Sequence, residues 1–281
     1  MESKAKGSFE GWNEVWKNQS EEKTLNPYYT EKEPTNIYQF WQKGYAIDLL
    51  NLIKDKSYTA FCELGSGRGT TTMYLAKEGY TDLTMVDLAE QGFKVASYSF
   101  NHYKLPMPKM ILENVERTNL SAASFDCIYN IGLLEHFDDP TPTLEEAFRL
   151  LTKGGMIYMP IVPVQPFYKS FFQRLFLNPL GLAKKLVKQA LPSNKKDGGN
   201  INRTDYRPEF YIDICKKIGY KNVQCIPYNP YWKINPDGSS GNEFTLSWYK
   251  WYYRTFKKNK TLTLQTSSLF DLCFLLIADK E

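Results

Sequence analysis

A glycine-rich segment behind a short apolar run constrains this chain more than any other stretch. The run Thr59–Leu64 is followed by Gly65–Gly69, in which every second residue is glycine, and a helical pattern starts at Thr71. Glycine is needed where a chain turns with positive φ or where a ligand approaches the backbone closely. The segment therefore predicts a strand, a tight turn and a helix N-terminus that offers free N–H groups to a nucleotide-like ligand.

From residue 59 onward, apolar runs of strand length alternate with helical patterns. The predicted strands are Thr59–Leu64, Leu83–Val86, Lys109–Leu112, Phe125–Asn130, Met156–Val162, Val223–Ile226 and Leu269–Ala278. The predicted helices are Thr71–Glu78, Ala89–Asn101, Thr143–Leu151 and Pro208–Gly219, and Thr152–Gly155 is predicted to stop the third of them with Gly154 as its left-handed cap. Such alternation implies right-handed crossovers and a mostly parallel sheet with helices on both faces.

The remaining segments predict additions to this sheet. Residues 1–58 are expected to form a helical N-terminal extension or lid, with an amphipathic helix from Ile37 to about Ile53. Residues 59–281 are expected to form one domain with insertions at about 163–205 and 228–266, where the alternation breaks.

Composition narrows the class of protein. With 42% hydrophobic residues among 281, the chain can bury a sizeable core, and a net charge of +4 is too small to indicate nucleic acid. Five cysteines without a C-x-x-C pair predict buried reduced thiols, and we expect no metal. The N-terminus lacks the apolar core of a signal peptide, and no window holds about 18 uncharged apolar residues, so we expect a cytoplasmic protein.

Polar residues follow the predicted strands at their carboxyl ends, where open α/β sheets bind ligands. Asp87 ends the second strand, 24 residues after Glu63, and its carboxylate can accept hydrogen bonds from both hydroxyls of a ribose. Capping of the next helix near Ala89 is the alternative role for Asp87. After the third strand, the amide of Asn114 can read an adenine edge and Val115 can pack against the ring.

Together with Ser124–Asp126, Leu133–His136 and Arg149–Gly155, these residues resemble the class I S-adenosylmethionine-dependent methyltransferases of the small-molecule type. The resemblance covers about residues 59–161. It implies a Rossmann-like, doubly wound α/β fold with a mostly parallel seven-stranded sheet whose last strand is antiparallel. It also implies S-adenosyl-L-methionine as the cofactor, S-adenosyl-L-homocysteine as its product, and methyl transfer to a small-molecule or glycan acceptor, at oxygen.

The resemblance further implies which residues hold the cofactor. They are Glu63, Gly65, Ser66, Gly67, Gly69, Asp87, Leu88, Asn114, Val115 and Asn130. The residues from 63 to 69 and Asn130 would border the methionine moiety, and Asp87 would hold the ribose. Leu88, Asn114 and Val115 would contact the adenine, although the family usually has Asp at the position of Asn114. The cofactor carries a sulfonium and no phosphate, so an acid at Glu63 is compatible with it.

His136 is the predicted catalytic base, because imidazole titrates near neutral pH and an oxygen acceptor usually needs a base. It stands six residues past Asn130, just beyond the fourth strand. A packing or helix-capping histidine is the alternative interpretation. We expect the neighbouring Glu135 to be a solvated or structural acid.

The additions to the sheet are expected to select the acceptor. In the N-terminal extension, the predicted substrate-side aromatic residues are Tyr28, Tyr29, Tyr38 and Trp41. They would form a lid over the cofactor or, equally, pack the leading helix onto the sheet. The basic amphipathic insert at 163–205 suits a cap on the active site, a homodimer interface or peripheral membrane contact through 163–191. The aromatic segment 228–266 suits a pocket for an acceptor or core packing beneath the cap.

Other functions stay open from sequence alone. A non-catalytic S-adenosylmethionine-binding module, a methyltransferase acting on a membrane-associated lipid-linked substrate and an aminopropyl-type transferase use the same fold. An NAD-dependent dehydrogenase is disfavoured because Thr70 replaces the third glycine of its usual motif. Nucleic acid substrates are disfavoured because Asn130–Leu133 lacks the proline-rich run of enzymes that methylate amino groups with this fold.

Overall fold

The computed structural model describes residues 24–163, 203–229, 243–257, 259–266 and 273–281. The helices are α1 (Ile37–Ile53), α2 (Thr70–Lys77), α3 (Glu90–His102), α4 (Thr141–Leu150), α5 (Pro208–Ile218) and α6 (Glu243–Phe256), with one 3-10 turn, η1 (Leu134–His136). The strands are β1 (Ala60–Leu64), β2 (Asp82–Asp87), β3 (Lys109–Leu112), β4 (Phe125–Tyr129), β5 (Leu151–Ile161), β6 (Lys221–Tyr228) and β7 (Cys273–Asp279).

All seven strands form one sheet in the order β3-β2-β1-β4-β5-β7-β6. Strands β1 to β5 pair in parallel, and β7 is antiparallel to both of its neighbours, β5 and β6. The predicted mostly parallel sheet with an antiparallel last strand is therefore confirmed. The strand order reverses between β1 and β4, so a crevice for a ligand is expected where their carboxyl ends diverge.

Two hydrophobic clusters cover the two faces of the sheet, because successive residues of a strand point to opposite sides. On one face Phe61 and Tyr129 pack in a cluster that also contains residues of α1, α2 and α6. On the other face Cys62 and Ile128 pack in a cluster that contains residues of α4 and α5. Both faces are covered, as the predicted near-continuous apolar strands require.

Helix α1 belongs to the folded core. Its N-cap is Asn36, whose side chain accepts a hydrogen bond from the backbone N–H of Gln39 at 3.0 Å. Its buried side chains include Trp41, Tyr45 and Leu49, all in the same cluster as β1. Although the domain boundary near residue 58 stays a prediction, the described part of the extension packs directly on the sheet.

The predicted helix stop at Thr152–Gly155 is wrong. Helix α4 ends at Leu150 and the chain enters β5 directly at Leu151. The register with β4 shifts between Leu151 and Met156, so the intervening residues form an irregularity in the strand. Gly154 does have a positive φ of 83°, but its N–H donates to the carbonyl of Lys280 at 2.6 Å instead of capping a helix.

Most of the predicted insertions lie outside the described residues. These parts are 164–202 and 230–242, together with 1–23 of the extension and 267–272 before β7. The cap, interface and membrane hypotheses for 163–191 therefore stay predictions. Among the residues that are described, no helix is long and apolar enough to cross a membrane.

Candidate functional site

The turn after β1 has the backbone that alternate glycines allow. Gly65, Gly67 and Gly69 have φ values of 65°, 50° and 62°, a region that other residues adopt with strain. The N–H of Gly65 donates to the carbonyl of Val86 at 2.8 Å, and Gly69 N–H donates to Ser66 at 2.8 Å. The loop is thus attached to the end of β2 and leads directly into α2.

Asp87 joins the loop to β2. One carboxylate oxygen accepts the N–H of Gly67 at 2.7 Å, and the other accepts the N–H of Ala89 at 2.7 Å. A carboxylate has about four lone-pair positions, so each oxygen can accept one further hydrogen bond. Burial raises the pKa of Asp87, and the backbone N–H groups of Ala89, Gly67 and Leu88 oppose that rise. Asp87 therefore does not cap α3, whose N-cap is Ala89, but it binds the N–H of that residue and keeps acceptor positions that a ribose could use.

Glu63 lies beneath the loop and is 4% exposed. It accepts a hydrogen bond from the hydroxyl of Thr72, which also lies 2.8 Å from the hydroxyl of Tyr129. Burial raises the pKa of Glu63 to about 8, although the hydrogen bonds from Thr72 act in the opposite direction. Glu63 thus connects β1, α2 and β4 beneath the loop.

Several buried polar side chains at this edge make no hydrogen bond to a described residue, and two of them adjoin the loop and β4. They are Asn130, whose amide is fully buried, and Ser66, which is 8% exposed. The backbone of Asn130 donates to Tyr158 and so fixes it just past β4. A buried polar group without a partner costs about 1–3 kcal/mol. A polar ligand at the ends of β1 and β4 would satisfy both groups.

The side predicted to hold an adenine is more open. Leu88 is 40% exposed, although large apolar side chains are usually covered. The side chain of Asn114 accepts the N–H of Glu116 at 3.0 Å and donates to the Glu116 carboxylate at 3.1 Å. Val115 is 5% exposed and packs in the cluster on the α4 face of the sheet.

His136 lies in η1, and Leu133, just before that turn, packs on the glycine loop. The backbone N–H of His136 donates to Leu133 at 3.0 Å, and the His136 side chain is 7% exposed. A Cβ placed on Gly65 would lie 2.6 Å from the side chain of Leu133. The structure therefore brings the predicted base and the predicted cofactor loop to the same edge of the sheet.

Glu135 is fully buried, so of the two expected roles, a solvated acid and a structural acid, the solvated one was wrong. Burial raises its pKa to about 7, while the Arg203 guanidinium and the backbone N–H groups of Glu135 and Val162 lower it. The backbone N–H of Thr204 donates to the Glu135 carbonyl at 2.7 Å. No local pattern predicted this contact, because the segment at 203–204 lies far along the chain.

The four predicted lid aromatics divide into two pairs. Tyr29 and Trp41 are 2% and 3% exposed and pack in the core, as the alternative interpretation expected. Tyr28 and Tyr38 are only partly buried, with ring centroids 5.4 Å apart. The guanidinium of Arg68, in the glycine loop, lies 5.0 Å from the Tyr28 ring centroid. Tyr28 is therefore the member of the set that contacts the loop.

Asn26 is a loop contact that the sequence did not predict. Its amide donates to Thr70 Oγ1 at 2.9 Å and to the Arg68 carbonyl at 3.3 Å, and its backbone N–H donates to Ser99 at 2.8 Å. Asparagine is common in turns, so its type alone gave no signal. Among the described residues, no group of three His, Cys, Asp or Glu side chains could hold a metal ion.

A methyltransferase-domain family model matches residues 62–159, which run from β1 almost to the end of β5. The ubiquinone biosynthesis O-methyltransferase of Colwellia psychrerythraea is 27% identical over 177 residues, covering 60% of this chain and 64% of that protein. The chain thus spans less than two thirds of the length of this relative.

Solved structures with the same fold include two methyltransferases. A magnesium protoporphyrin IX methyltransferase from Synechocystis with bound S-adenosylhomocysteine has a TM-score of 0.51, at 12% identity over 90% of this chain and 91% of its own. An S-adenosylmethionine-dependent methyltransferase from Clostridium acetobutylicum has a TM-score of 0.53, at 12% identity over 85% of this chain and 92% of its own. Because both identities are 12%, these two matches show a similar fold and carry no conclusion about function.

Proposed function

We propose that this chain, a member of the class I S-adenosylmethionine-dependent methyltransferases, transfers a methyl group from S-adenosylmethionine to an oxygen of a small-molecule acceptor. The observation that carries the proposal is the position of the Asp87 carboxylate. It accepts a hydrogen bond from the glycine loop and can still accept hydrogen bonds from a ligand. The family match and the relative named as an O-methyltransferase support the donor and the oxygen. A glycan hydroxyl is the alternative acceptor of the same chemistry.

The residues present fit the cofactor. Asp87 would accept the two ribose hydroxyls, and the exposed Leu88 would be covered by the adenine. The fully buried amide of Asn130 and the hydroxyl of Ser66 would find partners in the amino and carboxylate groups of the methionine. When bound, S-adenosylmethionine supplies an electrophilic methyl group on a sulfonium.

The chain's own residues would then orient the reactants and move one proton. The loop between β1 and α2 would hold the donor. Leu133 packs against that loop, and its carbonyl accepts the backbone N–H of His136. Holding two reactants in line accounts for much of the rate in such transfers. His136 would accept the proton of the acceptor hydroxyl as the oxygen forms its bond to carbon.

The proposal is tested by incubating the purified protein with radiolabelled S-adenosylmethionine and a panel of phenols, quinols and sugars. Label is expected in a phenol or quinol product, and the bond to oxygen can be established by mass spectrometry and NMR. Label in a sugar alone would favour the glycan alternative. Binding of S-adenosylhomocysteine without transfer to any panel member would favour a non-catalytic module.

The role of His136 has its own test. His136→Gln should lower turnover by about a hundredfold or more, because general bases contribute roughly 10²–10⁴. Its affinity for S-adenosylhomocysteine should be unchanged. The chain has one other histidine, so His102→Gln on α3 is a matched control and should keep full turnover. Full turnover in His136→Gln would remove it as the base.

A further inference from the structure

The outer face of α6 exposes two neighbouring aromatic side chains. Trp251 and Phe256 are 47% and 40% exposed, and their rings meet edge to face with centroids 6.1 Å apart. Single exposed apolar residues are ordinary, but adjacent large aromatics at a surface indicate something that covers them.

The opposite face of α6 is buried and packs against α1. Tyr249, Tyr252 and Tyr253 are each less than 5% exposed. The Tyr249 ring meets Trp41 of α1 edge to face at 5.8 Å, and Tyr253 lies 5.2 Å from Phe40. The helix is thus anchored by its tyrosines, and Trp251 and Phe256 are not needed to hold it.

The same stretch of chain carries only positive charge. Residues 244–270 contain no Asp or Glu, and their basic residues are Lys250, Arg254, Lys257, Lys258 and Lys260. Lys250 lies 3.3 Å from Glu33, a mostly exposed carboxylate. Within the described ranges, no acid lies within 4.0 Å of Arg254, Lys257 or Lys260. The stretch that carries the two exposed aromatics therefore also carries three exposed cations, Arg254, Lys257 and Lys260.

A third exposed apolar side chain lies on α1, the helix against which α6 packs. Ile47 is 38% exposed and, by helical spacing, shares a face with Phe40 and Asn51. Phe40 contacts Tyr253, and Asn51 donates to the carbonyl of Thr261 at 2.9 Å. The three exposed apolar side chains thus belong to two helices that pack on each other.

We propose that this face, formed by Trp251, Phe256 and the exposed cations Arg254, Lys257 and Lys260, docks on an anionic lipid bilayer. Tryptophan and phenylalanine side chains enter the headgroup region, and Lys and Arg beside them interact with acidic lipids. A convex helix surface suits a bilayer better than single-stranded nucleic acid, which is usually bound in a basic groove. The proposal is independent of the function proposed above.

The test uses the full chain in vesicle flotation. The protein should float with vesicles of phosphatidylcholine mixed with phosphatidylglycerol and much less with phosphatidylcholine alone. Since each cation near an acidic surface contributes roughly fivefold, Arg254→Gln with Lys257→Gln should weaken binding about twenty-fivefold. The double variant Lys104→Gln with Lys109→Gln removes the same amount of charge from another part of the surface. It should bind the acidic vesicles more tightly than the double variant at Arg254 and Lys257.

The aromatic part is tested separately. Trp251→Ser with Phe256→Ser should also weaken flotation at least fivefold, whereas Met107→Ser, an exposed apolar side chain elsewhere, should not. Quenching of fluorescence by brominated lipid should fall in Trp251→Phe. An unchanged circular dichroism spectrum and an unchanged midpoint of thermal unfolding would show that each variant is folded.

Three results would overturn the proposal. One is equal flotation of the α6 variants and the wild type. Another is loss of flotation only when Lys184, Lys185 and Lys188 of the 163–191 segment are replaced by Gln. The third is binding to poly(U) RNA in the absence of any binding to acidic vesicles.

Discussion

The hydroxyl of Tyr228 in β6 donates a 2.6 Å hydrogen bond to the fully buried carboxylate of Asp48 in α1. The same carboxylate accepts the N–H and hydroxyl of Thr263, both at 2.5 Å, and the N–H of Leu264 at 3.0 Å. The Tyr228 hydroxyl also lies 2.9 Å from that of Tyr158 in β5. Asp48 thus joins helix α1 to the late part of the chain, so the described part of the N-terminal extension packs together with the rest of the fold.

Asp48→Ala is therefore expected to destabilise the protein strongly. It leaves several buried donors without an acceptor, and breaking such a network costs about 3–5 kcal/mol. Denaturant unfolding should show the loss as a lower midpoint. Asp55→Ala, at an exposed carboxylate just past the same helix, is the matched control and should change the free energy of unfolding by less than about 0.5 kcal/mol. Equal stability of the two variants would contradict the structural role of Asp48.

The raised pKa of Glu63 predicts a particular pH dependence. Its folded-state pKa of about 8 lies above the ordinary 4.5, so its stabilising contribution is complete below about pH 4.5 and is lost as pH rises through 8. Glu63→Gln cannot ionise and should lack this loss, which reaches about 1.4 kcal/mol per pH unit in that window. The unfolding free energy of the variant relative to wild type should therefore rise from about pH 5 to about pH 8. If the difference in unfolding free energy between the variant and the wild type does not change with pH, the raised pKa of Glu63 is refuted.

Gly92 in α3 is predicted to be required because a larger residue would collide with the backbone of Gly67. A Cβ at this position would lie 2.5 Å from the carbonyl oxygen of Gly67, in the cofactor loop. Gly92→Ala should displace the loop, with a loss of about 1–3 kcal/mol in stability and weaker binding of S-adenosylhomocysteine.

The matched control for Gly92 is Gly79→Ala. Gly79 has open space around its Cβ position and a φ of 96°, so alanine there is strained but touches nothing. The control should lose about 1 kcal/mol of stability and keep its ligand affinity. Thermal unfolding and calorimetry measure the two effects, and intact affinity in Gly92→Ala would show that the loop tolerates the side chain.

Much of the sheet was predictable because its signals are local. Apolar runs of strand length, glycines where φ is positive and polar residues at strand ends all lie within a few neighbouring positions. The start of β5 was not predictable in this way. Thr152–Gly155 resembles a helix stop, but pairing with β4 and the bond from Gly154 to Lys280 draw these residues into the strand.

The site shows the same division. The positions of Asp87 and His136 followed from strand ends, and the structure places both at the edge that carries the glycine loop. The burial of Glu135 depends on contacts with residues near 203. The hydrogen bond from Asn26 to Thr70 depends on the fold of the segment before α1. Such contacts join distant parts of the chain, so no local sequence pattern predicts them.

The most direct measurement is calorimetry of the purified protein with S-adenosylhomocysteine and, separately, with NAD. The wild type should bind S-adenosylhomocysteine and not NAD. Asp87→Asn should weaken that binding by about 1–3 kcal/mol, because a charged acceptor for the ribose is lost. Asp82→Asn, at the exposed opposite end of β2, should bind as the wild type does. Binding of NAD alone, or full affinity in Asp87→Asn, would contradict the account.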